Sequence, residues 1–511
     1  MTSVKPSHHK SLLGVKMLYS ELLKTKILPT AFILISLILT NTCPINQALA
    51  TSLNLTNVRL IDGTGSAPQN NMNIVIYQGK IASISPTFQK NGLPTLDLKG
   101  KTVLPGLIDS HVHIKAIPGT IYRNDSNDKR LELVKQNLRA YLAAGVTTVL
   151  DCAATKSSIR SVRQWKRQRF PAPTYLALNP FLTPKNGYFG DSHQRGPGFS
   201  DMTPPIENPE MIEQAISEGS MLSASGVKVT AESGLGPFKV WPVFDDAQIQ
   251  KIKSSAANHQ LPLYVHSMSN AEHELALKFE PHALVHSGYY DESPDPKVIN
   301  KIKNAKSYVI STLGMYKMFH LMWEPKELDS DFFKRLVPKL LLDTAKDPDA
   351  RKAAVKKVST VSSPSWLPSF LAGLLGKFMM SGEDQLKFYN NTKVGITALH
   401  KAGVPIVMGS DSGNYPEFTT VFHGVSSIIE MESLVDAGLS EMDAIVAATS
   451  RPAKMLGIDN ERGTVEVGKF ADLIILNGDP LKNISELRQI EWTIKEGLAF
   501  KPEQWLTSAI F

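Results

Sequence analysis

Residues 105–113 read Pro-Gly-Leu-Ile-Asp-Ser-His-Val-His, an apolar segment that ends in two histidines. Side chains alternate along a β-strand, so His111 and His113 point to the same side and can reach one metal ion together. An isolated His-x-His pair is more often a pair of ordinary surface or core histidines than a metal site. The interpretation therefore depends on whether further ligands follow along the chain.

Apolar, β-branched runs separated by helical patterns continue through most of the sequence. Eight such runs are expected to form strands, namely residues 107–114, 147–152, 174–182, 226–232, 261–267, 283–288, 307–313 and 404–410. Helical patterns lie between most of them, for example at residues 129–143, 209–223, 246–258 and 270–279. This alternation predicts the α/β class and a closed parallel (β/α)8 barrel of the TIM type.

The C-terminal ends of barrel strands carry the catalytic residues of such folds. Six potential ligands occupy those ends in this chain: His111, His113, Lys228, His266, His286 and Asp411. They belong to the first, fourth, fifth, sixth and eighth predicted strands. Packing alone does not explain six polar side chains at one end of a barrel, so the sequence predicts a metal centre there.

Several segments carry a family resemblance over nearly all of the chain after residue 50. They are residues 105–113, Gly226-Val227-Lys228-Val229, Val265-His266, Val285-His286-Ser287-Gly288, Gly409-Ser410-Asp411-Ser412-Gly413, Ala-Ala-Thr-Ser-Arg-Pro-Ala at 447–453 and Gly-Lys-Phe-Ala-Asp-Leu-Ile at 468–474. Together they resemble the amidohydrolase superfamily of metal-dependent hydrolases. Within it the chain is most similar to the prolidase-like and imidazolonepropionase-like branch.

The resemblance implies a centre with two divalent metal ions. The more buried ion would be held by His111, His113 and Asp411, and the other by His266 and His286. A carbamate on Lys228 and a hydroxide would bridge the two ions, and Asp411 would also be the catalytic proton acceptor and donor. Nitrogen and carboxylate ligands suit zinc, with manganese or cobalt as alternatives.

The lysine on the fourth strand decides how many metal ions fit. An ammonium group has no lone pair, so Lys228 binds metal only after it has become neutral and taken up carbon dioxide, which burial favours. The alternative is a structural ion pair of Lys228 with Asp411 or Glu232. Imidazolonepropionases usually hold one metal ion without this lysine, so a mononuclear centre is the second alternative.

Candidate substrate contacts follow the strands. His193, Tyr289 and His423 are predicted to lie near the mouth of the site, although each fits an ordinary loop position equally well. Arg123 and Arg195 are candidates for a substrate carboxylate because a guanidinium group matches it in shape, and solvated loop arginines are the alternative.

The predicted function is hydrolysis of an amide bond by the metal-bridging hydroxide. Dipeptides or N-acyl amino acids are the favoured small-molecule substrates, as for a prolidase or a carboxypeptidase. The same scaffold also hosts hydrolases of cyclic amides, lactones and phosphotriesters. A non-catalytic binding barrel is the alternative from a different class, and it is disfavoured because a barrel without activity is expected to have lost ligands.

Composition agrees with an enzyme of this kind. The chain has 511 residues, of which 42% are hydrophobic, enough for a barrel with a satellite domain. Its formal charge is +7, of which +4 lies before residue 27, and no basic helix is interleaved with aromatic residues. The sequence therefore argues against a nucleic-acid partner and leaves the oligomeric state open.

The first 50 residues have the pattern of a secretory signal. Lysines end at Lys26, an apolar stretch covers residues 27–39, and Ala48-Leu49-Ala50 supplies small residues for cleavage after Ala50. This pattern predicts a periplasmic or secreted protein, with an uncleaved N-terminal anchor as the alternative. Cleavage would leave Cys152 as the only cysteine, so no intramolecular disulfide is expected.

The remaining domain organisation follows from the barrel bounds. Segments 51–104 and 461–511 are predicted to form two halves of a small β-sandwich beside a barrel over 105–460. An insertion at 315–388 contains a charged helical run, 343–358, and an apolar stripe within 366–379. The stripe is interpreted as a helix packed on the barrel or, alternatively, as a lid or a surface element that contacts a membrane.

Overall fold

The computed structural model describes residues 51–123, 125–189, 202–235, 239–286, 288, 293–362, 381–414 and 418–507. The predicted signal segment, the candidates His193, Arg195 and Tyr289, and residues 366–379 lie outside the described residues. None of the helices in the described ranges combines the length and the apolar character that a membrane crossing requires.

Strands occur at both ends of the described chain and in regular alternation between them. In chain order they are β1 (Leu53–Leu60), β2 (Gln69–Tyr77), β3 (Lys80–Ser85), β4 (Thr95–Asp97), β5 (Thr102–Pro105), β6 (Leu107–Val112), β7 (Val146–Asp151), β8 (Thr174–Leu182), β9 (Gly226–Thr230), β10 (Gly234–Leu235), β11 (Lys239–Val240), β12 (Leu263–His266), β13 (Ala283–Val285), β14 (Tyr308–Ile310), β15 (Ile406–Val407), β16 (Leu473–Leu476), β17 (Ile490–Lys495) and β18 (Leu498–Phe500).

Eight of these strands form the predicted barrel. β6, β7, β8, β9, β12, β13, β14 and β15 pair in this order, and every pair is parallel. The first and last strands meet through backbone hydrogen bonds: Ser110 donates to Met408 at 3.0 Å, and His113 donates to Ser412 at 2.9 Å. The predicted fold class is therefore confirmed, and the strand ends that carry the candidate ligands lie on one face.

Helices follow most barrel strands and cover the outside of the sheet. In chain order they are α1 (Thr120–Arg123), α2 (Asn127–Ala143), α3 (Lys156–Arg167), α4 (Pro209–Met221), α5 (Asp246–Asn258), α6 (Asn270–Leu277), α7 (Pro296–Ala305), α8 (Gly314–His320), α9 (Asp331–Leu336), α10 (Lys339–Lys346), α11 (Pro348–Ser362), α12 (Gly382–Lys401), α13 (Val425–Asp436), α14 (Glu441–Ala447), α15 (Ser450–Met455) and α16 (Pro502–Thr507). Short 3-10 helices cover Pro325–Asp329 and Ile484–Gln489.

The four helices predicted as examples are all present. Their starts agree with capping signals, since the side chains of Asn208, Asp245 and Ser269 each accept a backbone hydrogen bond from the first turn of the helix that follows. Apolar side chains from the strands fill the barrel interior, including Leu150, Leu178, Tyr264, Ile310 and Val407. The metal-ligand candidates therefore stand on a packed scaffold.

The two ends of the described chain meet in a second sheet. Its order is β18-β17-β16-β5-β1-β2-β3, with β4 paired to β1, and the pairing of β16 with β5 joins the N-terminal and C-terminal halves. A bridge between Lys80 and Phe470 connects the far edge, β3, with the segment before β16. The sheet is thus rolled around a common apolar core, which accounts for the predicted β-sandwich domain.

The insertion before the eighth barrel strand is helical where it is described. The single helical run predicted at 343–358 is wrong, because α10 ends before Asp347 and α11 begins at Pro348. Asp347 has an extended backbone, with ψ 118°. A residue that precedes proline is disfavoured in the α-helical region, and this separates the two helices.

Candidate metal centre

Six side chains converge at the C-terminal end of the barrel, and they are the six predicted as ligands. His111 lies on β6, Lys228 in the middle of β9 and His266 at the end of β12, whereas His113, His286 and Asp411 follow the ends of β6, β13 and β15. All six line one cavity of about 440 Å³, counting its open mouth. The ends of five different strands therefore supply one site.

Three of these side chains have the spacing of ligands that share one ion. Nε2 of His111 lies 3.2 Å from Nε2 of His113 and 3.3 Å from Oδ1 of Asp411, and Nε2 of His113 lies 3.0 Å from the same oxygen. Two ligand atoms bound tetrahedrally to one zinc ion at 2.0–2.1 Å are about 3.3 Å apart. Nδ1 of His111 is buried without a hydrogen bond. The donor set fits a divalent cation.

Hydrogen bonds orient two more imidazoles. Nε2 of His266 is hydrogen-bonded to the carboxyl group of Glu232, and Nδ1 of His286 is hydrogen-bonded to the hydroxyl of Thr312 at 2.8 Å. The two imidazole centroids lie 4.4 Å apart. When the hydrogen-bonded nitrogen of each ring carries the proton, the second nitrogen has the lone pair that a metal ligand requires.

The electrostatics of the site also fit ligation. Burial, followed by the charge of Lys228, lowers the pKa of His111 to about 3, and burial acts in the same way on His266, whose pKa is also about 3. Burial by itself would raise the pKa of Asp411, but the imidazoles of His111 and His113 offset this and hold it well below its usual value. Neutral imidazoles and an ionised carboxylate are the ligand forms that bind metal ions.

Lys228 is buried beside these ligands without a counter-ion. Its exposed fraction is 2%, and no acidic group in the described ranges lies within salt-bridge distance of it. The alternative of an ion pair with Asp411 or Glu232 is wrong for these residues, because Asp411 faces the imidazoles and Glu232 is bonded to His266. Burial lowers the pKa of Lys228 to about 8, so a neutral amine is accessible.

The backbone is unusual where the ligands leave their strands. His286, Thr312 and Asp411 adopt left-handed conformations, with φ values of 70°, 53° and 53°. The amides of these residues still extend the barrel hydrogen bonding, since His286 donates to Ile310 at 3.0 Å and Asp411 donates to His111 at 2.8 Å. Such conformations of residues other than glycine are uncommon and concentrate at functional sites.

The two other candidates within the described residues, His423 and Arg123, do not line the cavity. His423 is buried, and its Nδ1 lies 2.7 Å from the hydroxyl of Tyr141 while its Nε2 donates to the carbonyl of Ala116 at 2.8 Å. Arg123 is paired with Asp125 at 2.9 Å. The structure thus engages His423 in hydrogen bonds and Arg123 in an ion pair, and neither is part of the described cavity lining.

Sequence reasoning missed several residues of the cavity wall. Apolar residues face the ligands, namely Ala153, Phe181, Tyr188, Phe189 and Met202, and Asn414 donates to Oδ2 of Asp411. Their positions at the end of the third strand and after the second, third and eighth strands were the available signal, since the C-terminal ends of barrel strands and the loops that follow form the site. Composition alone does not separate these residues from ordinary core residues.

Comparisons with known proteins agree with this geometry. The model of the amidohydrolase family matches residues 102–498. The chain is 26% identical over 159 residues to the dihydroorotase of Streptococcus pneumoniae serotype 4, which covers 29% of this chain and 36% of that protein. It is 30% identical over 105 residues to the N-acetylglucosamine-6-phosphate deacetylase of Lysinibacillus sphaericus, covering 20% and 26%. The chain thus matches only between about a quarter and about a third of the length of these curated relatives.

Solved structures match over a much larger part of the chain. The crystal structure of a Xaa-Pro dipeptidase with bound methionine has a TM-score of 0.66 at 20% identity and covers 88% of this chain and 99% of that one. The A. niger ochratoxinase has a TM-score of 0.64 at 18% identity and covers 90% and 99%. At these identities the likeness establishes the shared fold. Since the family model spans most of the sequence, the chain belongs to the amidohydrolase family.

Proposed function

We propose that the protein is a metal-dependent hydrolase that cleaves the C–N bond of an amide, with dipeptides or N-acyl amino acids as the favoured substrates. The observation that carries the proposal is the convergence of six candidate ligand side chains at one cavity, among them a buried lysine that has no acidic partner among the described residues. The pattern of residues 1–50 further supports export of the protein.

The ligand set supports a binuclear centre. His111, His113 and Asp411 would hold one ion, His266 and His286 would hold the other, and Lys228 would bridge them as a carbamate. Zinc suits these nitrogen and oxygen donors, with manganese or cobalt as alternatives. When bound, the ions supply Lewis acidity that polarises the scissile carbonyl and activates water.

Asp411 is the residue proposed to move the proton. Its pKa is held well below its usual value, so the carboxylate is ionised and can accept a proton from the attacking water. Asn414 donates to Oδ2 and fixes the orientation of the carboxylate. The same carboxyl group then protonates the leaving amine, so no side-chain nucleophile is needed.

A cyclic amide is the second candidate substrate class. Relatives that match parts of the chain include the dihydroorotases of Streptococcus pneumoniae and Pyrococcus abyssi, at 26% and 32% identity. Those matches cover 36% and 24% of the relatives, so linear and cyclic amides need to be tested side by side. A barrel that only binds a small molecule is disfavoured, because such a protein would not need to keep all six candidate metal ligands.

The experiment that tests the proposal combines metal analysis with a substrate screen. We expect the purified wild-type protein to contain about two equivalents of transition metal and Lys228→Ala to contain fewer, because the bridging ligand is lost. The metal-loaded protein is screened with dipeptides, N-acyl amino acids and cyclic amides.

Lys115→Ala is the matched control. Lys115 lies near the site but contacts the hydroxyls of Thr155 and Ser157. This variant should keep the wild-type metal content. One tightly held ion in both the wild type and Lys228→Ala would contradict the binuclear centre, and a metal-loaded wild type that cleaves no amide would contradict the function.

A further inference from the structure

One side of the cavity is apolar and faces the metal ligands. We define the apolar wall as Ala153, Phe181, Tyr188, Phe189 and Met202, which line the cavity together with the ligands. Ala153 follows the second barrel strand, Phe181 lies within β8, and the two aromatic residues at 188 and 189 follow that strand. The wall therefore stands where loops of this fold contact substrate.

The wall is packed directly against one ligand. The ring of Tyr188 lies 5.0 Å from the imidazole of His266, at an interplanar angle of 31°. It also contacts Phe189 and Trp241 edge to face, at 4.9 and 5.1 Å. Phe181 contacts Phe189 at 6.1 Å. Any group that enters beside His266 must therefore contact aromatic surface.

The loop that carries the wall is anchored to its surroundings. The hydroxyl of Thr183 donates to the carbonyl of Tyr188 at 2.6 Å, and the amide of Gly187 donates to Pro184 at 2.9 Å. The amide of Lys185 donates to Ile206 at 3.0 Å. These bonds fix the loop before the aromatic residues and make the wall a preorganised surface.

The backbone of Phe189 gives an independent indication of function. Its φ is 58°, in the left-handed region that bulky residues rarely adopt. Asn186 in the same loop has a φ of 60°, but asparagine tolerates this conformation. A strained aromatic residue that lines a cavity indicates that its ring is required there.

We propose that the apolar wall is a specificity subsite that selects amides with a bulky aliphatic or aromatic group next to the scissile C–N bond. The inference rests on the proposed function, because it names the substrate class of the same site. The charged residues among the described lining of the cavity are the ligand candidates Lys228 and Asp411. The described wall itself offers no charged side chain, so a charged substrate group would lose water there without gaining an ion-pair partner.

The test compares two ligands of nearly equal shape. Binding of N-methylphosphonyl-L-leucine and N-methylphosphonyl-L-asparagine to the zinc-loaded protein is measured by calorimetry. We expect the wild type to bind the leucine compound about tenfold more tightly. In Phe189→Ala this ratio should fall about fivefold, chiefly through weaker binding of the leucine compound. Phe88→Ala, at an exposed position in the other domain, should keep the wild-type ratio.

Two further variants keep the test decisive. Phe189→Gly should unfold at a higher temperature than Phe189→Ala, because glycine adopts a positive φ without strain. If neither variant folds, Met202→Gln places a polar group in the wall and should lower the leucine preference. Equal affinities in the wild type together with no preference for leucine in hydrolysis, or an unchanged ratio in folded Phe189 and Met202 variants, would overturn the subsite.

The test also separates the subsite from the function on which it rests. Hydrolysis of Gly-Leu, Leu-Gly, Gly-Asn and Asn-Gly is measured on the same preparations. Cleavage without a preference for leucine at either position would overturn the subsite alone. A preserved binding preference without cleavage of any amide would overturn the proposed function and support the subsite.

Discussion

Asp411 combines a ligand position with a proton-transfer position in one side chain. Asp411→Asn keeps the volume and the hydrogen bond with Asn414 but has no basic oxygen that accepts the proton. We expect the variant to fold and to lose about 10²–10⁴-fold in kcat. Circular dichroism, metal analysis and turnover of the best amide substrate check this. Retention of most of the wild-type kcat would show that Asp411 does not transfer the proton.

Glu232 is a positioning residue because it acts through His266. Burial raises the pKa of Glu232 to about 8, so a polar partner is essential for this carboxyl group. Replacing it with glutamine weakens its hold on Nε2 of His266. We expect Glu232→Gln to lower metal affinity about 10–100-fold, which competition with a chelator measures.

The chain offers a matched control for Glu232. Glu213 also contacts a histidine, with 3.1 Å between its Oε1 and Nε2 of His259, but this pair lies at the surface away from the cavity. Glu213→Gln should leave metal affinity unchanged. Equal affinities in all three proteins would restrict Glu232 to a structural role.

At the residue scale, the sequence predicted the candidate metal-ligand side chains better than the residues that contact them. His111 and His113 could be identified because strand alternation puts both on one side. The contact of Glu232 with His266 was not predictable, since it depends on where the chain turns after β9. Phe189 was missed because its position depends on a left-handed backbone that sequence patterns do not encode.

Among the elements, the start of α8 depends on a buried carboxyl group. Glu430 on α13 accepts hydrogen bonds from the hydroxyl of Ser311 and from the amides of Leu313 and Gly314. Burial raises the pKa of Glu430 from 4.5 to about 7. A carboxyl group with a raised pKa binds more protons in the folded state, so its contribution to stability falls as pH rises from 4.5 through about 7.

Glu430→Gln removes this titration while keeping the shape of the side chain. The unfolding free energy of Glu430→Gln minus that of the wild type should rise by about 3 kcal/mol when the pH is raised from about 5 to 8. Urea unfolding at both pH values measures it. Glu383→Gln, at an exposed position on α12, should follow the wild type. A parallel pH dependence of wild type and Glu430→Gln would contradict the assignment.

Prediction of the elements succeeded where periodicity was long and uninterrupted. The helix at 246–258 was predicted from its helical pattern with its observed bounds, and in the structure a capping box begins it. The eighth strand was predicted at 404–410, whereas β15 covers two residues, since the chain beyond it bends to place Asp411. Pro348 in the predicted run 343–358 was a break signal that the charge pattern obscured.

At the scale of the whole molecule, a buried ionic cluster connects the rolled sheet with the start of the barrel. Asp472 accepts hydrogen bonds from Arg462, from Lys495 at 2.9 Å and from the amide of Glu496 at 2.8 Å. Its carbonyl accepts from Gly106, directly before β6, at 2.8 Å. The cluster thus stands where the two sheets join.

Removing Asp472 from this cluster leaves the buried positive charges of Arg462 and Lys495 without their full set of acidic partners. We expect Asp472→Ala to lower the unfolding free energy by about 3–5 kcal/mol. Asp343→Asn, which breaks an exposed pair with Lys339, should cost less than about 1 kcal/mol. Chemical unfolding of both variants gives the comparison. Similar small effects would show that the cluster is not important for stability.

The meeting of the two chain ends was predicted from the family resemblance and from alternation in both segments. The sequence did not indicate that they form one rolled sheet joined by β5 and β16. That arrangement depends on pairing between residues more than 350 positions apart, as in the contact of Val103 with Ile475. Local patterns contain no information on such partners.

The barrel closes where β6 meets the eighth barrel strand, β15, and this determines when the site can form. His111 and Asp411 belong to the two strands that close the barrel, so synthesis must pass residue 411 of 511 before both ligands exist. Joining them closes a loop of about 300 residues, which is a slow, late event in folding. A nascent chain that has not passed residue 411 therefore has an incomplete set of candidate ligands.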